Sequence, residues 1–374
     1  MKIIALLAAA LPMGAAAQSS EDPTIVLRNA GGMSVEVIPQ GAIVKAIMVP
    51  DRTGEMANVV LGYPEATDYR TKVKKNGFGA TIGRYAGRIA GARFTIDGRQ
   101  IDLVANDGAN ALHGGGAEGF DTADWQVSRP SAGDAASSEA GADEVTFTLV
   151  SPDGFQNFPG ELSVSVTYRL AADNALHIEY SARTTRPTAF NITNHSYFNL
   201  AGEGSGIVAG QWLKLEADRY IVTDEGGIPT GELAPVAGTP MDFRCPYNLG
   251  ERIANPAPPL TARGYNHAWL FDKADGQLAA VALLIDPGSG RTLTIETTEP
   301  SIQVYTGGYI DGTDAGPSGH VYQPGDGIAL EVQHVSDSPN QPQFPTTILR
   351  PGQTYRQTTI WRFGTDGARS VSCS

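Results

Sequence analysis

Apolar and polar side chains alternate with a period of two along much of the chain. Leu162, Val164, Val166, Tyr168 and Leu170 fall on one face of a strand, and after Asp173-Asn174 the alternation resumes at Leu176, Ile178 and Tyr180. Val145 to Val150, Leu293 to Thr297, Ile302 to Tyr305 and Ile328 to Val332 read as further strands. Asp97-Gly98 sits between Arg93-Phe94-Thr95-Ile96 and Gln100-Ile101-Asp102-Leu103. Both turn residues tolerate positive φ, so this dipeptide predicts a hairpin. No stretch keeps a helical period over three turns, so helices should be short and few. A chain of this kind must close its strand edges or stack its sheets, and the fold class expected is all-β, a large sandwich. Ser128 to Asp143, rich in Ser, Ala and Gly, reads as a long surface loop between two strands. No repeat of fixed period appears, and a single domain is expected.

Composition narrows the field. The 374 residues carry 40 acidic side chains against 27 Lys and Arg, a formal net charge of −13. That balance argues against a nucleic-acid surface, which needs a basic face. With 18% charged and 41% hydrophobic residues the chain is neither a disordered acidic polymer nor a membrane bundle. Its 44 glycines and 24 prolines suit many turns between short strands.

The first residues carry an address. Lys2, the apolar run Ile3 to Met13 and the small residues Ala15-Ala16-Ala17 form the pattern of a signal peptide over residues 1–17, with Gln18 as the first mature residue. The run is too short to span a bilayer. Residues 18–374 are then an exported domain, periplasmic where the cell has an outer membrane and free of the membrane once the leader is removed. The competing interpretation is a buried N-terminal strand. Export makes Cys245 and Cys373 candidates for a disulfide, although sequence separation does not say whether they come within bonding distance.

Three islands break the alternation with polar residues. The first holds NGFGATIGRYAGRIAG (Asn76–Gly91) and NALHGGGAEGFD (Asn110–Asp121). The second is NITNHSYFNLAG (Asn191–Gly202). The third is ALEVQHVSDSPN (Ala329–Asn340), preceded by SIQVYTGGYIDG (Ser301–Gly312). His113 precedes three glycines, which let backbone approach a ligand closely. His195 lies among amides, a hydroxyl and aromatic rings, a mixture suited to a sugar's hydroxyls and C–H faces. Glu331 interrupts an apolar strand, so its carboxylate either faces solvent or lines a cavity. Taken singly, each is an ordinary surface or structural residue more often than a functional one, and Arg84 and Arg88 also fit as strand-end charges.

Together, and in this order, the islands resemble the aldose 1-epimerase (galactose mutarotase) family. GRYAGRIAGARFTIDG, LHGGGAEGFD, NHSYFNLAG, TDEGGIPTGELAPVAGTPMDFR, YTGGYIDG and LEVQHVSDSPN all match its motifs. The resemblance implies a large β-sandwich of the galactose mutarotase type and interconversion of α and β anomers of a free aldohexose, glucose or galactose. It assigns the base to Glu331 and the principal acid to His195, with His113 assisting near the ring oxygen. It gives Arg88 and Gln303 as substrate-binding residues. Two departures stand out. Gly87 replaces an Asn of the family pattern, and Asn266, in Gly264-Tyr265-Asn266-His267, replaces an Asp that binds sugar hydroxyls. Asn266 keeps an acceptor but loses the charge, which bears on sugar preference.

The chemistry accounts for this set. Opening a hemiacetal needs a base at the anomeric hydroxyl and an acid at the ring oxygen; rotation about C1–C2 and reclosure yield the other anomer. Reference pKa values of about 4.3 for Glu and 6.5 for His suit those roles near neutrality. No metal or organic cofactor is required. A metal enzyme remains an alternative, disfavoured because His113, His177, His195, His267, His320 and His334 form no H-x-H or H-x-x-x-H pair. The more serious rival is an exported, non-catalytic sugar-binding protein, and an epimerase for an atypical aldose is a third reading.

Overall fold

A computed structural model describes residues 24–129, 143–254 and 264–365. The leader, most of the Ser128–Asp143 loop and Cys373 lie outside the described residues. The alternating segments are strands, as the period requires: Leu162–Leu170 is flanked by Asp143–Ser151 and Ala175–Thr184, all antiparallel. Arg93–Ile96 and Arg99–Asp102 pair as a hairpin, with Asp97 at φ 51° and Gly98 at φ 78°. These are the left-handed values that make Asp-Gly the favoured hairpin turn. Among the described residues the α-helices are Tyr69–Asn76 and Leu249–Ala254.

Three antiparallel sheets build the body. A nine-stranded sheet runs from Gln126–Ser128 at one edge, through the long strands above and Tyr355–Gly364, to Tyr247–Asn248 at the other. A four-stranded sheet uses Ile25–Arg28, Ser34–Ile38, Ile43–Pro50 and Met56–Asn58. The six-stranded sheet has the order Tyr197–Phe198, Ile328–Gln333, Ser301–Tyr305, Asn266–Leu270, Arg219–Thr223, Pro229–Pro235.

The pleat of this last sheet positions the site. Alternate side chains point to opposite faces. Leu330 and Val332 of one strand, Ile302 and Val304 of its neighbour and Trp269 of the next join the main core with Val166, Ile178, Ile295 and Trp361 of the nine-stranded sheet. Each such burial contributes about 1.5–3 kcal/mol. The intervening residues, Glu331, Gln333, Gln303, Tyr305, Asn266 and Ala268, therefore face the other way, and all of them line one cleft. Core packing on one face fixes the polar row on the other.

Arg84 is neither a strand-end charge nor part of this cleft. It is 1% exposed and donates to Ser151 Oγ, to the carbonyl of Ser151, to that of Pro152 and to that of Gly160. Burial lowers its pKa to about 10. The guanidinium, with five donors in a rigid fork, stitches the segment before Arg88 to the Ser151–Gly160 turn.

Candidate active site

The cleft encloses about 340 Å³ and is lined from all three islands. Glu331 arrives from the second strand of the six-stranded sheet: Gln303 is its register partner on the inner neighbour, and the same strand is paired on its outer side where Tyr197 meets Ala329. His195 arrives from the chain just before Tyr197. Thr193 and Asn194 pair with Ile82 and Thr81, and the His195 N–H donates to the Ala80 carbonyl at 2.9 Å. His113 follows a two-residue ladder in which Ala111 and Leu112 pair with Ile89 and Arg88. Its backbone turns at φ 53°, and Gly114 follows at φ 91°, where an added Cβ would lie 2.7 Å from the Gly83 carbonyl oxygen. Glycine after His113 is thus demanded by both conformation and space.

The three side chains converge. His195 Nε2 lies 3.5 Å from Glu331 Oε1, the two imidazole rings meet edge to face with centroids 5.4 Å apart, and one ligand atom from each residue falls within 4.8 Å of the others. Such proximity would also suit a divalent cation, so the absence of a short-range His pair in the sequence is no guide to ligand geometry here. Two atoms in this cluster are buried without a hydrogen-bond partner, His195 Nδ1 and Glu331 Oε2. Unsatisfied buried polar atoms of this kind are costly and mark a place where a ligand completes the bonding.

Electrostatics separate the groups. Burial raises the Glu331 pKa above the usual carboxylate range, opposed by the nearby charges of His195 and Arg88. For His113 burial and charge act together: burial pushes its pKa well below the imidazole norm, and His195, Arg88 and Lys74 lower it further. The Gly87 N–H donates to His113 Nδ1 at 3.2 Å, so the neutral ring carries its proton on Nε2.

Around the cluster lie the remaining predicted groups. Arg88 lines the cleft with Nε bonded to Asp107 Oδ2 at 2.7 Å, while its Nη1 lies 3.4 Å from where a Gly227 side chain would begin. Asp107, absent from the sequence reading, orients this guanidinium. Asn266 is tied to its neighbour on the sheet: Gln303 Nε2 donates to its Oδ1 at 2.7 Å. One lone pair of the acceptor that Asn266 retains is therefore engaged within the protein, which leaves the other lone pair and the amide N–H₂. Tyr305 and the 66%-exposed Tyr309 stack at the mouth with ring planes 29° apart. The sequence signal for them was the aromatic pair in YTGGY.

A second cleft of about 600 Å³ lies beside Glu299 and His334. There the carboxylate and imidazole share a 2.6 Å hydrogen bond, and Tyr355 Oη donates to the other Glu299 oxygen at 3.0 Å. Its acid and base are spent on each other, unlike those of the first cleft.

Fold and cleft together define a β-sandwich that brings the Glu331 carboxylate and two imidazoles together before a small polar ligand, the equipment of general acid–base chemistry. The chain belongs to the aldose 1-epimerase family, whose sequence pattern spans residues 23–362. It is 41% identical over 331 residues to a galactose mutarotase of Rattus norvegicus, covering 88% of this chain and 91% of that one. To an aldose 1-epimerase of Escherichia coli strain K12 it is 37% identical over 342 residues, 91% and 94% of the two chains. Among solved structures, an aldose epimerase homologue from C. elegans matches with a TM-score of 0.82 at 28% identity, over 92% of this chain and 99% of that chain.

Proposed function

We propose that the protein is an aldose 1-epimerase in which Glu331 is the general base at the anomeric hydroxyl and His195 the general acid at the ring oxygen. The observation that carries this reading is the 3.5 Å approach of His195 Nε2 to Glu331 Oε1 on the cleft floor. The hydroxyl and the ring oxygen share one carbon, so the groups that serve them must be neighbours, as these are. A pyranose seated over the pair gives one oxygen to each. Glu331 accepts the hydroxyl proton as His195 protonates the ring oxygen, the C1–O5 bond breaks, and reclosure on the other carbonyl face runs both transfers backwards.

His113 has a different part. Its depressed pKa keeps it neutral, so it serves as an Nε2–H hydrogen-bond donor to the sugar rather than as a proton reservoir. Arg88 and the Asn266–Gln303 amide pair hold ring hydroxyls. With one lone pair of the Asn266 oxygen taken by Gln303, this side of the cleft offers a ring hydroxyl an amide N–H and the remaining lone pair, without the charge that an Asp would bring.

Polarimetry and anomer-resolved NMR on a panel of freshly dissolved aldoses test the reading. Acceleration above the spontaneous rate is expected, unaffected by a chelator. Sugar binding with no acceleration would instead make this a binding protein, and loss of rate on chelation would bring in a metal. The leader-like residues 1–17 support export, with the enzyme meeting sugars before uptake. Fractionation of cells expressing the whole chain should recover it outside the cytoplasm and beginning near Gln18.

A further inference from the structure

One buried amide in the cleft has no part in the scheme above. Gln333 lies two residues beyond Glu331 on the same face of the same strand, is 2% exposed and lines the cleft. Its backbone is fixed, with the carbonyl accepting from Ser301 Oγ at 2.5 Å. Its side-chain Oε1 is buried and accepts no hydrogen bond. A carboxamide oxygen withdrawn from water and left unpaired is destabilising unless something absent from the empty protein completes it.

The surroundings explain why the amide is there. Gly87, at φ 83°, contributes no side chain to the cleft, and its N–H and carbonyl are engaged with His113, the N–H donating to Nδ1 and the carbonyl accepting from the His113 N–H. A Cβ at position 87 would fall 2.2 Å from Ser336 Oγ and 3.4 Å from Gln333 Nε2. Ser336 thus fills the space that a side chain at 87 would take, and the Gln333 amide borders it. Ser336 Oγ also accepts from the Arg88 N–H at 3.3 Å, tying this corner to the guanidinium.

We propose that Gln333 is a substrate-binding, specificity-determining residue whose unpaired carboxamide oxygen accepts a hydrogen bond from a ring hydroxyl other than the anomeric one, while its Nε2 borders the corner that Ser336 fills beside Gly87. The proposal rests on the sugar reading of this cleft. Residues two apart on a strand are separated by about 6.6 Å, which puts the amide beyond the reacting carbon but within the span of one pyranose.

The test measures binding and turnover separately, with the parent aldose and its single-position deoxy analogues, for wild type, Gln333→Met and Gln333→Glu. Wild type should bind one deoxy analogue distinctly more weakly than the parent. Gln333→Met should bind the parent about 5- to 10-fold more weakly, the scale of one lost hydrogen bond, with kcat little changed, and should no longer discriminate against that analogue. Gln333→Glu, which keeps an acceptor, should restore the discrimination. A Gln333→Met protein that keeps the wild-type deoxy profile overturns the proposal, as does one that weakens all sugars and kcat alike, the mark of a structural role. Calorimetry or saturation-transfer NMR reads binding without turnover, so a protein that binds sugars but does not epimerise them would sink the catalytic reading and leave this one standing.

Discussion

Replacing Glu331 by Gln should separate activity from stability in opposite directions. The side chain is 3% exposed, with Oε2 unpaired and Oε1 only 3.5 Å from an imidazole. Gln preserves shape but cannot take a proton. A positioned proton-transfer group contributes about 10²–10⁴-fold, or roughly 2.7–5.5 kcal/mol of barrier, and that is the loss expected in kcat. Stability should move the other way. Burial raises the Glu331 pKa, so the folded state disfavours the ionised form. The cost is absent below the unfolded-state pKa, grows as pH rises towards the folded value and stays in place above it. An unsatisfied buried oxygen costs about 1–3 kcal/mol, equivalent to roughly 1–4 °C in Tm for a chain of this size. Gln should recover part of this at neutral pH and little in acid. In the wild type, the acid limb of kcat/KM should lie above the ordinary carboxylate range and should be missing from the variant. Polarimetry with the spontaneous rate subtracted, thermal melts at two pH values and sugar calorimetry read the three quantities. Turnover within about threefold of wild type, with sugar still bound, would refute the base assignment.

Other substitutions probe the rest of the cleft. His195→Asn should lose turnover as severely as Glu331→Gln while still binding sugar; wild-type rates by polarimetry would move the acid role to His113. Asn266→Asp should strengthen sugar binding and kcat/KM about 3- to 10-fold, because a charge-assisted bond is worth about twice a neutral one, and unchanged or weaker binding by calorimetry would show that Gln303 already uses the whole side chain. Arg84→Met should leave several buried oxygens unpaired and cost about 3–5 kcal/mol in denaturant unfolding without a selective change in KM. Arg88→Met should do the reverse, raising KM with little loss of stability.

Legibility in the sequence followed periodicity. Leu162–Leu170 and Ala175–Thr184 alternate because one face of the sheet meets the core and the other does not, and the pattern reads directly. The edge strand Pro229–Pro235 was read only as part of a motif, since its two prolines and its glycine mask the strand signal. Those residues are tolerated there because an edge strand need not pair on both sides. Glu331, His195 and His113 stood out as polar interruptions, but their meeting within 4.8 Å is a property of three distant segments, which no local pattern encodes. Gln333 went unnoticed because a polar residue at a strand end looks ordinary until its burial is seen. Arg84 misled for the opposite reason: it sits close to Arg88 in sequence and shares none of its surroundings.

The mounting of the polar row on three neighbouring strands has a geometric consequence. Glu331 stands opposite Gln303, and Gln303 opposite Ala268, two residues from Asn266, so these groups are pitched by the backbone itself. Adjacent strands lie about 4.8 Å apart. The sheet is in effect a ruler against which the ring is gauged, graduated by interstrand hydrogen bonds rather than by loops. Changing which sugar fits then requires only new markings, one side chain at a time, while a slip of one residue in register would turn every mark to the wrong side.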